Sequence, residues 1–194
     1  MHTRTREREP AVATDLDTLE DAQLAALARE DPTGPGFRAL YERHRATVWR
    51  FLLRLVGDVA LAEDLLQESF FRAYQQLGRY DPARAFRPWL LGIARNTALH
   101  ALRARGKVGP TPRAASHSDR VPHQAAARED ESRARDALLD LPDDERALLI
   151  QRHALGLPLA ELAAAWDCTE RTIRNRLHAA TAALTRALLA RRGR

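Results

Sequence analysis

The chain has 194 residues, a length that accommodates one or two small domains, and its formal net charge is +5. A basic chain favours a polyanionic partner such as nucleic acid. Almost every cation is arginine, Lys107 being the only lysine, and the abundance of Ala and Leu indicates that genome bias contributes to this composition. The placement of the charges therefore carries more information than their sum. No apolar run approaches the ~20 residues that a membrane-spanning helix needs, so we predict no membrane insertion.

Cysteine and histidine usage argues against a disulfide framework and against a metal site. Cys168 is the only cysteine, which excludes an intrachain disulfide and fits a reducing cytoplasm. The seven histidines are scattered without the spacing of metal ligands. Residues 1–15 carry charges but no apolar stretch of a signal peptide, and we predict a disordered tail there. No cofactor motif, catalytic dyad or phosphate-binding glycine loop is present, so the chain is not expected to be an enzyme.

Apolar residues recur at helical spacing throughout, and the sequence predicts an all-α protein with two small helical domains. The first domain spans residues 16–105 and has four predicted helices, at 18–30, 37–57, 60–77 and 87–105. The third helix has a predicted buried stripe of Ala62, Leu66, Phe70, Ala73 and Leu77. A flexible linker is predicted over residues 106–132, whose proline-rich first part has too few large apolar residues to fold. The second domain follows at 133–194.

The third helix also carries a second stripe, which is acidic and polar around one aromatic residue. It consists of Asp64, Gln67, Glu68, Phe71 and Gln75. A solvated face seldom has a large aromatic in its middle, whereas a protein-binding face often does. On the residues alone, docking of a partner and plain solvation are about equally well supported.

Between the third and fourth helices lies a loop, "GRYDPARAF", in which aromatics stand beside arginines. Aromatic rings can stack on unpaired bases, and arginines can hydrogen-bond to them. The alternative is that the aromatics close the hydrophobic core; we prefer it for Phe86 and leave Tyr80 open. Asn96, His100 and Arg103 lie along one polar edge of the fourth helix, with Arg95 adjacent.

The second domain contains a predicted helix-turn-helix. The stretch "LPLAELAAAW" forms a short helix, "DCT" forms a tight turn, and "ERTIRNRLHAA" begins a basic helix that Thr169 can cap. Ile173, Leu177, Ala180 and Leu184 share one face of that helix. The donors suited to the major groove lie on its other side, at Arg171, Arg174, Asn175 and His178. An isolated basic helix is more often a solvated surface helix, but the preceding helix and turn favour DNA binding.

At these motifs the chain resembles the extracytoplasmic-function sigma factors, the small two-domain class of the sigma-70 family. "AEDLLQESFFRAY" resembles their region 2.2 and "FRPWLLGIARNTALHALR" their regions 2.3 and 2.4. The segment "LPDDERALLIQRHALGLPLAELAAAWDCTERTIRNRLHAA" resembles region 4. The resemblance covers about residues 18 to 190, with both blocks in the family's order.

The resemblance implies a factor that binds core RNA polymerase, reads promoter −10 and −35 elements and helps to open the DNA. Polymerase binding is implied for Asp64, Gln67, Glu68 and Phe71. Contacts to the −10 element are implied for Tyr80, Arg84, Arg95, Asn96, His100 and Arg103, and contacts to the −35 element for Arg171, Arg174, Asn175, Arg176 and His178. The implied partners are the β′ clamp for the first domain, the β flap for the second, promoter DNA and an anti-sigma factor.

Two other functions compete with this interpretation. A DNA-binding activator with a LuxR-like second domain explains the helix-turn-helix equally well, but not the "DLLQE" stripe followed by "WLLGIARN". A regulator that sequesters a transcription factor is the second alternative. Transcription with core polymerase discriminates the three, because only a sigma factor starts it without another sigma.

Overall fold

The computed structural model describes residues 16–106 and 125–192, and within these ranges it contains helices and turns but no strand. The helices of the first domain are α1 (Asp21–Glu30), α2 (Pro35–Val56), α3 (Val59–Gln76) and α4 (Phe86–Gly106), with a 3₁₀ turn at Leu77–Arg79. Those of the second are α5 (Ala125–Leu139), α6 (Asp143–Leu149), a π-helical turn (Ile150–Ala154), α7 (Leu159–Ala165) and α8 (Glu170–Arg192). The all-α prediction with two helical domains is confirmed.

The domain boundaries can be compared with the structure only in part. The predicted tail, residues 1–15, and the linker residues 107–124 lie outside the described residues. Helix α4 ends at Gly106, next to the predicted end of the first domain. Helix α5 begins at Ala125, inside the range 106–132 that the sequence assigns to the linker.

Local signals set most helix ends of the first domain. Pro35 occupies the first turn of α2, where its missing N–H leaves no hydrogen bond unmade. Gly57 ends that helix with φ of 70°, a left-handed conformation that favours glycine. Asp58 then caps α3, its side chain accepting the backbone N–H of Leu61 at 3.1 Å. Because the residue that ends α2 and the residue that caps α3 are adjacent in sequence, the chain turns sharply between the two helices.

The core of the first domain lies where α2, α3 and α4 meet, and α3 contacts both of the others. Because α3 is packed on two sides, its buried face is wider than a single stripe. Leu61, Leu65 and Ser69 are buried as well as the predicted Phe70, whereas the predicted Leu66 is only half-buried. Ser69 satisfies its hydroxyl inside the core by donating to the carbonyl of Leu65 at 2.6 Å.

An ionic cluster ties α1 to α2. Asp21, in the first turn of α1, accepts hydrogen bonds from Arg43 Nη1 at 2.9 Å and pairs with His44 Nε2 at 2.8 Å. Burial by itself raises the pKa of the Asp21 carboxyl, but the hydrogen bonds and charges of His44 and Arg43 outweigh it and leave the pKa lowered. The folded chain therefore stabilises the ionised form of Asp21.

In the second domain, the buried helix α6 is followed by a turn that is wider than an α-helical turn. After α6 the chain makes one π-helical turn, in which the N–H of Leu155 donates to the carbonyl of Ile150 at 3.0 Å. Gly156 then reverses the chain with φ of 69°. Such a turn inserts one extra residue and changes which side chains face inward. Gln151, a polar residue, is buried there with no solvent exposure.

The two domains pack against each other and share one hydrophobic core. Helix α4 contacts α7 and α6, and α2 contacts the π-helical turn. Leu90 and Leu91 of the first domain lie in the same apolar cluster as Leu148, Ile150 and Leu162 of the second. The close approach is visible at Gly92, where an added Cβ would lie 3.3 Å from the carbonyl oxygen of Ala165.

Candidate nucleic-acid interface

The turn between α7 and α8 has the geometry of a helix-turn-helix. Asp167 adopts φ of 48°, and the N–H of Cys168 reaches back to the carbonyl of Ala163 at 3.0 Å. The N–H of Asp167 also donates to the carbonyl of Ala164 at 3.4 Å, and the two hydrogen bonds form a Schellman motif, which stops a helix abruptly. Thr169 then starts α8, its Oγ1 accepting the N–H of Thr172 at 3.2 Å, as the sequence predicted.

Helix α8 has one face in the core and one in solvent. Ile173 and Ala180 are fully buried, and Leu177 and Leu184 are partly buried, so the predicted apolar face is confirmed. The five predicted donors, Arg171, Arg174, Asn175, Arg176 and His178, are all exposed. Glu170 holds Arg174 with an ion pair of 3.0 Å along the helix. The outer face thus presents guanidinium, amide and imidazole groups to any ligand that lies along it.

The aromatics of the loop before α4 close the core. Phe86 is 1 % exposed and Tyr80 is 3 % exposed, and their rings meet edge to face with centroids 5.2 Å apart. The hydroxyl of Tyr80 donates to the carbonyl of Arg84 at 2.6 Å. Burial, reinforced by the charge of Asp21, raises the pKa of Tyr80. The sequence left Tyr80 open between core and base contact, and the structure places it in the core, where its ring has no free face for stacking.

The remaining predicted −10 residues differ sharply in accessibility. Asn96, His100, Arg103 and Arg84 are exposed. Arg95 is only 8 % exposed, although it lies one residue before Asn96. Its Nε and Nη2 donate to Asn96 Oδ1 at 3.2 Å and 2.9 Å. Arg103 lies 3.5 Å from the carboxylate of Asp144 in the second domain.

Burial is also the main electrostatic influence on Arg95. It lowers the pKa of the guanidinium; the charge of Asp144 opposes this effect and the charge of Arg176 adds to it. The guanidinium carbon lies 4.0 Å from the ring centroid of Trp166, within the range of a cation–π contact. Arg95 therefore contacts the second domain in this conformation.

The acidic and aromatic stripe of α3 lies open to solvent. Phe71 is 56 % exposed, an unusual value for a phenylalanine, and Asp64 and Gln67 are exposed beside it. Glu68 is half-exposed and pairs with Arg72 at 2.5 Å. The side chains predicted to bind polymerase thus share one accessible helix face.

Comparison with known families and proteins identifies the family to which the chain belongs. Residues 40–108 match the family model of Sigma-70 region 2, and residues 132–184 match that of Sigma-70, region 4. The ECF RNA polymerase sigma factor SigL of Mycobacterium tuberculosis is 37 % identical over 153 residues, which cover 76 % of this chain and 85 % of SigL. The chain belongs to the extracytoplasmic-function sigma factors of the sigma-70 family. It is accordingly an initiation factor that directs RNA polymerase to promoters.

Another relative supports this family assignment, and two solved structures have a similar fold. The ECF RNA polymerase sigma factor SigC of Mycobacterium tuberculosis is 36 % identical over 170 residues, covering 85 % of this chain and 91 % of SigC. Among solved structures, CnrH in complex with the cytosolic domain of CnrY matches with a TM-score of 0.66 and 25 % identity, over 88 % of this chain and 97 % of CnrH. The sigma factor RpoE of Bartonella quintana shows the same fold, with a TM-score of 0.63, 23 % identity and coverage of 80 % and 98 %.

Sequence reasoning missed the residues of this sigma factor that join its two domains. Trp166 donates its Nε1–H to Gln151 Oε1 at 2.7 Å, and Gln151 Nε2 donates to the carbonyl of Leu91 at 3.3 Å. The signal was present as a glutamine inside the apolar run "ALLIQRHAL" and as a tryptophan at the end of α7. Neither feature names its partner, which lies 60 positions away for Gln151 and Leu91.

Neither a metal-ligand cluster nor a membrane-spanning helix is found in the part of the chain that the structure describes. In residues 16–106 and 125–192, no group of three or more His, Cys, Asp or Glu side chains could hold a metal ion. Over the same residues, no helix combines the length and apolar character needed to cross a membrane.

Proposed function

We propose that this sigma factor divides its work among three helix faces. The stripe of α3 attaches it to core RNA polymerase, α4 with the preceding loop holds the −10 element, and α8 reads the −35 element. The observation that carries the proposal is the two-sided character of α8. Its inner face is fixed in the core by Ile173 and Ala180, while its outer face is a row of exposed donors.

The chemistry of the outer face of α8 suits duplex DNA. An arginine can donate two hydrogen bonds to guanine O6 and N7, and an asparagine can bond adenine N6 and N7. Arg174 and Asn175 lie in the first two turns of α8, the part of a recognition helix that contacts base edges. Arg171 lies in the first turn, beside Glu170, and suits a phosphate. Arg176 and His178 extend the donor surface along the helix.

The polar edge of α4 suits single-stranded DNA. Asn96, His100 and Arg103 are exposed along it, and Arg84 is exposed in the loop before it. They provide amide, imidazole and guanidinium donors for bases and phosphates of a melted strand, and the buried Arg95 supports this edge by donating to Asn96 Oδ1. Tyr80 is not included in this set, because its ring belongs to the core.

The stripe of α3 suits a protein partner. Phe71 supplies an exposed aromatic anchor, and the carboxylates of Asp64 and Glu68 flank it. An aromatic surrounded by polar groups is the usual composition of an interface hot spot. We propose the β′ clamp of polymerase as the partner of this stripe and the β flap as a partner of the second domain.

Three further points complete the proposal. The chain itself catalyses no reaction and takes no cofactor, since the polymerase supplies the chemistry of RNA synthesis. It acts in the cytoplasm, where a lone reduced Cys168 is stable. We also propose regulation by an anti-sigma factor, in keeping with CnrH, whose solved structure is a complex with the cytosolic domain of CnrY.

The decisive test is run-off transcription with purified core polymerase that carries no other sigma factor. Templates come from genomic fragments selected by the reconstituted holoenzyme. We expect transcripts that require the chain and that disappear for Asp64→Arg/Glu68→Arg. Arg29→Glu is unsuitable as a control because Arg29 bonds the carbonyls of Leu77 and Tyr80, so we choose the exposed Glu30→Arg. Absence of any chain-dependent transcript would refute the proposed function.

A further inference from the structure

The loop between α3 and α4 is held at its two ends by buried aromatic rings. Tyr80 and Phe86 lie in the core, and the five residues between them, 81–85, are all exposed. Trp89 completes the aromatic group, with its ring centroid 5.2 Å from that of Tyr80. The exposed segment, called here the 81–85 loop, is therefore short, and its ends cannot move apart without opening the core.

Arg29 of α1 reaches across to the chain just before this loop. Its Nε donates to the carbonyl oxygen of Leu77 at 3.0 Å, and its Nη2 donates to the carbonyl oxygen of Tyr80. The guanidinium carbon also lies 5.7 Å from the centroid of the Tyr80 ring, within the range of a cation–π contact. Because the guanidinium is planar and rigid, two of its donors on two carbonyls fix both the position and the direction of the chain that enters the loop.

The hydroxyl of Tyr80 holds the loop from the inside. It donates to the carbonyl oxygen of Arg84 at 2.6 Å, so a core residue fixes the far side of the exposed segment. Within the segment, Asp81 Oδ1 accepts the N–H of Ala83 at 3.0 Å, and the carbonyl oxygen of Asp81 accepts the N–H of Arg84 at 3.0 Å. The first of these bonds makes an Asx turn, a compact local structure. The loop thus has a defined shape before any ligand is present.

Arg29 can act on the loop without being part of the core. It is exposed, whereas Leu24, Ala25 and Ala28 of the same helix are buried. These apolar residues, together with the ionic cluster described above, anchor α1 on α2. Replacement of the guanidinium would therefore release the start of the loop while α1 stays packed.

A loop that distinguishes bases must present its hydrogen-bonding groups in the right place. A hydrogen bond weakens steeply as its angle departs from linearity, and a binding group has to be held within about 0.5 Å of its productive position. A loop that is ordered in advance also avoids the entropy cost of ordering when the ligand binds. Arg84, the proposed −10 contact in this loop, is the residue whose carbonyl accepts the Tyr80 hydroxyl.

We propose that Arg29 and the hydroxyl of Tyr80 are positioning groups for −10 recognition, which hold the 81–85 loop in the shape that distinguishes one base of the melted strand from the other three. Both act through the loop carbonyls that they hold. This inference rests on the proposed role of α4 and the preceding loop in holding the −10 element. It adds α1, a helix with none of the proposed DNA contacts, to the parts of the chain that determine promoter choice.

Two simpler roles of Arg29 predict different results. A guanidinium that contacted a DNA phosphate would contribute equally to every promoter sequence and would increase the salt dependence of binding. A guanidinium that only stabilised the fold would change the free energy of unfolding and leave the base preference intact. A positioning residue changes the base preference itself, at a −10 position and not at the −35 positions.

The test is run-off transcription by core polymerase with the full-length chain. The templates carry each of the four bases at every −10 and −35 position of a promoter selected by the wild-type holoenzyme. Arg29→Lys keeps the positive charge, but a single ammonium lacks the planar fork that spans two carbonyls. Because misplacement of a binding group by about 1 Å can cost up to roughly 100-fold, we expect the preference at one −10 position to fall about tenfold. The −35 preferences should stay unchanged.

A second variant and a matched control accompany Arg29→Lys. Tyr80→Phe keeps the ring in the core and removes only the hydroxyl that holds Arg84, so it should reduce the preference at the same −10 position. Arg54→Lys makes the same substitution at an exposed arginine of α2 and should keep every preference. Hydrogen exchange of the free chain reports the loop directly: the amide of Arg84 should exchange faster in Arg29→Lys and Tyr80→Phe, while the amides of α2 keep their wild-type rates.

The outcomes separate this inference from the proposed function. If Arg29→Lys and Tyr80→Phe keep the wild-type preference at every −10 position, or lose transcription evenly on all templates, the inference is overturned while the proposed function stands. If Arg29→Lys does not fold at the assay temperature, as measured by circular dichroism, Tyr80→Phe decides by the same criterion. If the wild-type chain itself gives no transcript with core polymerase, the proposed function fails and this inference fails with it.

Discussion

Helices α4 and α8 carry the two proposed DNA-binding surfaces, yet they differ in what covers them. The donors of α8 are exposed, and Arg174 among them pairs with Glu170 on the same helix. Arg95 of α4 is buried under Trp166, and Arg103 lies near Asp144. The same side-chain chemistry can thus be open on one helix and closed on another. Accessibility depends on how the domains pack, and residue type alone does not reveal it.

The largest effect is expected from substitutions in the α3 stripe. This third surface is proposed to bind polymerase and is distinct from both proposed DNA-binding surfaces. Asp64→Arg/Glu68→Arg reverses two charges beside Phe71 and should weaken binding to core polymerase by about 2–4 kcal/mol, since unpaired or repelling charges in an interface are costly. Affinity is measured by titration of labelled chain with core enzyme, and circular dichroism reports the fold.

The control for this variant is Glu30→Arg/Glu42→Arg, which changes the charge equally on α1 and α2. Binding of the free chain to −35 duplex should stay the same in both variants, because α8 lies on the other domain. Undiminished affinity of Asp64→Arg/Glu68→Arg for core polymerase would contradict the assignment of the stripe.

The next effect concerns the open surface of α8. Asn175→Ala removes an amide that can make two hydrogen bonds to adenine, and it should reduce discrimination at one base pair by roughly 1–3 kcal/mol. The measurement is a titration of the full-length free chain against single-base variants of a −35 element obtained by selection from randomised duplex DNA. If every positional preference survives the substitution, the outer face of α8 is not the reader.

Arg171→Ala is the matched comparison for Asn175→Ala on the same helix. A phosphate contact contributes equally to all sequences, so this variant should weaken binding evenly and reduce the salt dependence, with a slope smaller by about 1. Two salt concentrations suffice to measure it. A loss confined to one base pair would instead assign Arg171 to a base edge.

A smaller effect, on stability, is expected from the ionic cluster that ties α1 to α2 in the first domain. Asp21→Asn removes the carboxylate shared by Arg43 and His44 and should lower the free energy of unfolding by about 1–2 kcal/mol at neutral pH. The pKa of Asp21 is lowered on folding, so this stabilisation is present above the unfolded value of 3.8 and is lost as the pH falls through the folded pKa.

Denaturant titrations of the Asp21 variant at several pH values test this dependence. The difference between wild type and Asp21→Asn should be fully present at about pH 5 and shrink as the pH falls below the unfolded pKa of Asp21. Glu30→Gln, at an exposed position of the same helix, is the control and should show neither effect. A difference that persists unchanged in acid would mean that the introduced amide disturbs packing and not charge.

The sequence predicts those features of this molecule that depend on neighbours along the chain. Thr169 marks the start of α8 by local geometry, and the periodicity of α8 separates Ile173 from its donors. These features need only the few residues around them, which is why the helices and the helix-turn-helix could be predicted.

Features that depend on contacts between distant segments could not be predicted. The pattern of the loop left Tyr80 open, because an aromatic beside arginines suits either a base or the core, and its neighbours Phe86 and Trp89 decide for the core. The width of the buried face of α3 follows from contact with two helices. The burial of Gln151 and Arg95 results from the packing of the two domains against each other, and no local sequence pattern indicates that contact.

The smallest effect is expected at the turn that connects α7, which covers α4, with α8. Asp167 adopts the left-handed conformation at φ of 48°, which is unfavourable for a side chain with a Cβ and natural for glycine. Asp167→Gly should therefore raise the free energy of unfolding by about 0.5 kcal/mol, since the relief of strain exceeds the added freedom of the unfolded chain. Binding to −35 duplex should not change, because the backbone already has this conformation. Asp167→Ala is the comparison and should be less stable than Asp167→Gly, a ranking that denaturant titration resolves. If glycine instead destabilises the chain, the Asp167 side chain contributes a stabilising interaction that outweighs its strained backbone.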